Sequence, residues 1–114
     1  MPEIDYLDHQ LRSILIKCSA RLKDIRRRSA AVAPGSTSII PACHAELHEV
    51  IVHAVISIKP AVPNAAHYRS MISRTYATGL DAQSGAPTVE SIRAITTLID
   101  AAAGAIGGLT ETRT

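Results

Sequence analysis

The stretch IDYLDHQLRSILIKCSARLKDI, residues 4–25, decides the fold. Ile4, Leu7, Leu11, Ile14, Cys18, Leu22 and Ile25 recur at steps of three and four, which on an α-helix draws one apolar stripe. The acidic residues Glu3, Asp5 and Asp8 stand at its start and Arg26, Arg27 and Arg28 at its end, each sign where the helix dipole favours it. The spacing predicts a helix of about 25 residues. Ile14, Leu15 and Ile16 are consecutive, and successive helical residues point about 100° apart, so one stripe does not hold all three. Some apolar surface is therefore expected to face a second neighbour.

Three more helices are read outward from this one. Between Ser29 and Pro41 the composition turns to Ala, Pro, Gly, Ser and Thr, with Pro34-Gly35 as a turn signal, and a flexible linker is expected over about 29–41. Cys43, Leu47, Val50, Ile51, Ala54 and Ile58 then follow the helical step, and Pro60 supplies the stop. Val52, Val55 and Ile56 carry apolar character round most of that helix, as expected of one packed on several sides. The run Val50 to Ile58 is also rich in β-branched residues, which makes a buried strand the competing reading.

Asn64 reads as the N-cap of a third helix with the stripe Tyr68, Met71, Ile72, Thr75 and Tyr76, ended by Gly79 as a left-handed C-terminal residue. After a loop over Asp81 to Pro87, Ile92, Ile95, Ile99, Ala102 and Ile106 define a fourth helix, which Gly104 and Gly107-Gly108 are expected to end. A frayed tail follows from Thr110 to Thr114. The fold class is all-α: one domain over residues 1–114, either four-helix bundle-like or made of helical hairpins completed by oligomerisation.

Composition bounds the function. The chain has 114 residues, 46% of them hydrophobic, with neither Phe nor Trp, so its core is aliphatic. An aliphatic core gains less per position than an aromatic one, and association with a second copy is a natural way to make up the difference. The formal net charge is only +2, which by itself calls for neither nucleic acid nor an acidic substrate. Two cysteines make no disulfide framework, and the N-terminus carries no basic-then-apolar leader, so a cytoplasmic protein with free thiols is expected. No apolar stretch approaches the length of a membrane span.

Local charge is less even, because seven of the twelve Lys and Arg lie between Arg12 and Arg28. Arg21, Arg26, Arg27 and Arg28 therefore form a candidate anion or partner site, weighed against partial neutralisation by Asp24 and the absence of interleaved aromatics. Arg69 and Arg74, with Tyr68 and Tyr76, form a second such cluster, since Tyr and Arg are favoured at interfaces. His44 and His48 share a helix face and are the candidates for a metal, although the remaining ligands of a closed site have no recognisable pairing. The spacing from His48 to His53 has one residue too many for a zinc-protease motif, and His53 reads as a partly buried, pH-responsive side chain. Cys43 beside His44 is a poor catalytic pair, because neighbours on a helix diverge and Cys43 begins an apolar stripe.

The residues point first to a non-enzymatic helical regulator or adaptor without a cofactor, which acts by homo-oligomerisation, a dimer being favoured, and by binding a protein. The alternatives are a nucleic-acid or nucleotide binder using the basic end of the first helix, and a metal-binding protein using His44 and His48.

Overall fold

The computed structural model describes the backbone of residues 2–60 and 62–112 and the side chains of residues 9–60 and 62–106. Helices account for most of it: α1 over Pro2–Val32, a 3-10 turn at Pro41–Cys43, α2 over His44–Ser57, α3 over Ala65–Thr78 and α4 over Val89–Thr112. The β-branched run after Val50 is helical, so the strand reading is corrected. Tertiary burial of Val50, Ile51 and Ala54 on one helical face outweighs the modest strand preference of their neighbours.

α1 extends to Val32, about one turn past the composition change at Ser29, so Arg26–Arg28 are not its last turn. Ala30 and Ala31 are strong helix formers, and Ser29 points inward, where its hydroxyl accepts the Ile40 N–H at 3.0 Å. Termination comes from Pro34 and from Gly35, which takes the positive φ of +79° that the turn requires. The connection is then tied down: Ile39 is buried and donates its N–H to the Pro87 carbonyl, and Thr37 accepts the Val89 N–H.

These tethers place the start of α4 beside the end of α1, and the two helices run antiparallel, with Lys23 and Asp100 paired at 3.7 Å further along. α2 descends against α1, and α3 returns against α4, giving an up-down-up-down bundle. α1 with α4 forms the most extensive seam, and α2 with α3 touches far less than α1 with α2 or α3 with α4. Leu15, Leu22, Ile25, Leu47, Val50, Ile72, Ile92, Ile95, Ile99 and Ile106 are fully buried at the centre, while Tyr68 and Tyr76 pack at the margin. Ile4 and Leu7, the first members of the α1 stripe, lie outside the described side chains.

Three terminus signals behave differently from their sequence reading. Asn64 does take a left-handed conformation, φ 60° and ψ 28°, yet makes no side-chain cap; its carbonyl instead accepts the Tyr68 N–H. Gly79 has an ordinary φ of −83° and is a glycine for space, since an added Cβ would lie 2.2 Å from Ser91 Cβ. Gly104 and Gly107-Gly108 do not end α4, which continues to Thr112. A glycine costs a helix only about 1 kcal/mol, and burial of Ile106 in the core outweighs it. Within the expected tail the backbone of residues 110–112 is helical, and Arg113 and Thr114 lie outside the described residues.

The α3–α4 loop is organised by Asp81. One carboxylate oxygen accepts the Gln83 and Ser84 N–H groups, each at 2.9 Å, and the other accepts the Thr37 hydroxyl at 3.3 Å. The backbone hydrogen bonds from Ser84 and Gln83 hold this carboxyl below the usual aspartate range. A depressed carboxyl contributes stability above the unfolded pKa and loses it as the pH falls through the lower folded value. Melting temperatures measured from neutrality into acid are expected to drop through that window, and to drop less steeply in Asp81→Asn.

Candidate docking face

α2 is apolar on two sides, but the single chain covers only one of them. Leu47, Val50, Ile51, Ala54 and Ile58 face the core, whereas Val52 is 42% and Ile56 60% exposed on the other side. The expectation that α2 is packed on several sides is thus corrected. Ile16 is likewise 47% exposed on α1, while its neighbour Leu15 is fully buried. His53, read as partly buried, is exposed, because at helical spacing it falls on the outer side beside Val52 and Ile56.

Of the exposed apolar residues, Val52 and Ile56 lie over the α2–α3 seam. There the two helices leave a groove of about 210 Å³, lined on α2 by His48, Ile51, Val52, Val55 and Ile56 and on α3 by Ser73 and Tyr76. The His48 and Tyr76 rings approach with centroids 6.1 Å apart at one end, and burial pushes the Tyr76 phenol pKa up. Towards Pro60 the groove continues past Ile58, with Lys59 and Arg69 beside Ile56. Its floor is aliphatic and its rim is polar and cationic.

The other sequence candidates are distributed differently. Glu46 reaches back from the first turn of α2 to α1, 2.7 Å from Arg28 and 3.6 Å from Arg21. Asp24 takes Arg28 at 2.8 Å and also bonds Arg27. The Arg27 hydrogen bond, helped by the charges of Arg28 and Arg27, holds the Asp24 carboxyl below its usual value. Arg21, Arg27 and Arg28 are therefore matched by carboxylates, and only Arg26 of that group has no ion pair among the described residues. Arg69 flanks the groove, but Arg74 stands five residues on and about 140° round α3, so the two do not converge.

His44 is half-buried with Nε2 3.0 Å from the Ile39 carbonyl oxygen, which makes that nitrogen the donor and engages it in holding the 3-10 turn. His48 turns instead toward Tyr76. Among the described residues no three His, Cys, Asp or Glu side chains gather where an ion could sit. Cys18 and Cys43 are both buried and free, and burial pushes the Cys18 thiol pKa up against the opposing charge of Arg21. No helix among the described residues is long and apolar enough to cross a membrane.

Sequence reasoning did not single out Lys59 or Glu49 as members of a face. A signal for it was present, since Val52 and Ile56 are four residues apart on the side opposite Ala54, which belongs to the core stripe. The class defined by fold and face is an all-α bundle with an uncovered apolar seam. No protein-family model, curated protein or solved structure matches the chain.

Proposed function

We propose that this chain is a non-enzymatic helical adaptor or regulator that acts by self-association, and through it by holding a protein partner, using the α2–α3 face. The observation that carries this reading is the exposure of Val52 and Ile56 together over an aliphatic groove. Apolar residues scattered singly on a surface need no partner, but a contiguous apolar patch rimmed by polar groups is characteristic of an interaction site. The missing area is also what an aliphatic core without Phe or Trp gains by association.

The alternatives have less to rest on. For nucleic acid or a nucleotide, Asp24 and Glu46 offset Arg21, Arg27 and Arg28. For a metal, the Nε2 atom of His44 is already engaged by a carbonyl.

Light scattering over a concentration series tests the reading. The mass is expected to rise above that of one chain, and Ile56→Asp is expected to weaken association at least about tenfold, the effect of losing roughly 1.4 kcal/mol at an interface anchor. Ile56 lies outside the buried core, so the circular-dichroism spectrum of the variant stays native. A single-chain mass at every concentration contradicts the proposal.

A further inference from the structure

We propose that the occupant of this face is a second copy of the chain, laid antiparallel across α2 about a two-fold axis at the level of Ala54. This rests on the self-association reading above and adds to it a register and a set of contacts.

A two-fold interface is isologous, so each residue must suit its symmetry mate as well as its own neighbours. For antiparallel helices, residues equally spaced on either side of the axis meet one another. Ala54 is 0% exposed and points into the core, so an axis at its level emerges from α2 on the uncovered side. Two positions away on each side stand Val52 and Ile56, the two exposed apolar residues, and the pairing sets Val52 of one copy against Ile56 of the other.

Beyond this apolar pair stand Glu49 on α2 and, at the other end, Lys59, two residues past the end of α2 at Ser57, opposite in charge and both exposed. Neither has an ion-pair partner among the described residues. In the antiparallel arrangement each Glu49 meets Lys59 of the second copy, and Arg69, which lines the same end of the groove beside Ile56 and Lys59, adds a second positive charge there. The same arrangement occurs twice, once at each end of the apolar centre. Small Ala45, exposed one turn before Glu49, leaves room for the approaching helix. Self-complementarity of this kind favours a copy of the chain over an acidic peptide, which would leave Glu49 facing like charge, and over an anionic membrane for the same reason.

The test uses the full chain and four preparations: wild type, Glu49→Lys, Lys59→Glu and the double exchange, each checked for native helicity and followed by sedimentation equilibrium. Each single reversal places like charges opposite one another at both ends, and is expected to weaken the dimer about three- to tenfold at low salt. The double exchange is expected to return to within about twofold of wild type, and mixing the two single variants is expected to restore a dimer, because their reversed charges are complementary between copies.

Singles as tight as wild type, or a double exchange as weak as the singles, overturn the register while leaving self-association intact. A wild type that remains a single chain overturns both this inference and the reading it rests on. Binding of single chains to phosphatidylserine vesicles in place of dimerisation overturns the choice of occupant.

Discussion

Ile99→Ala is expected to destabilise the chain by about 3–5 kcal/mol, the upper part of the range for large-to-small core substitutions. Ile99 is 0% exposed on α4, in the cluster that also holds Leu15, Cys18 and Leu22 of α1 and Ile95 and Ala102 of its own stripe. The cost has two parts, the lost transfer of the removed carbons and the cavity left by incomplete collapse. Collapse is restricted here because Ile95, Ile92 and Ile106 are β-branched and stiff about χ1, and among the described residues no aromatic ring stands in the buried cluster to swing into the space. Urea unfolding read by circular dichroism measures the effect directly. A loss below about 1 kcal/mol would mean that the α1–α4 seam is far more plastic than its packing implies.

Gly79→Ala is expected to cost about 2–3 kcal/mol, although its φ is negative and needs no glycine. At φ −83° alanine meets no positive-φ penalty, so the loss reports chiefly the space. The added Cβ would stand 2.2 Å from Ser91 Cβ, 2.7 Å from the Thr75 carbonyl oxygen and 2.8 Å from Ser91 Oγ. Ser91 cannot rotate out of the way, because the obstructing atom is its own Cβ. It is also fixed to the turn before it: its N–H donates to the Thr88 hydroxyl at 3.1 Å, and its hydroxyl donates to the Thr88 carbonyl at 2.9 Å. The end of α3 must therefore draw away from the start of α4. Gly104→Ala is the matched control, because an added Cβ there meets nothing within 4 Å, and it is expected to stabilise α4 by up to about 1 kcal/mol. Equal effects at the two glycines would contradict the account of Gly79.

The contrast between these glycines shows what can and cannot be read from residue order. The stripes could be read: Ile92, Ile95, Ile99, Ala102 and Ile106 are all buried, as are Cys18, Leu22 and Ile25, because helical periodicity and burial are the same pattern seen twice. Terminus signals could not be read reliably, because they depend on which element stands opposite. Gly79 is set by Ser91 twelve residues later, and Gly104 and Gly107-Gly108 stand within α4 instead of ending it.

The same division holds for the candidate sites. An excess of apolar surface around Val52 and Ile56 was visible in the order of residues, but not which side would stay uncovered, since that depends on how little α2 and α3 touch. The pairing of Arg21 and Arg28 with Glu46, eighteen residues beyond Arg28, depends on α2 folding back along α1. Asp24, by contrast, neutralises its neighbours at helical spacing, and that was legible locally.

Amide NMR spectra of the full chain recorded on dilution from millimolar to micromolar concentration test the docking face most directly. The account predicts concentration-dependent shifts confined to the outer side of α2 and the adjoining end of α3, centred on Glu49, Val52, Ile56, Lys59 and Arg69. Spectra that do not change with concentration, or shifts that cluster on the far side of α1 and α4, would contradict it.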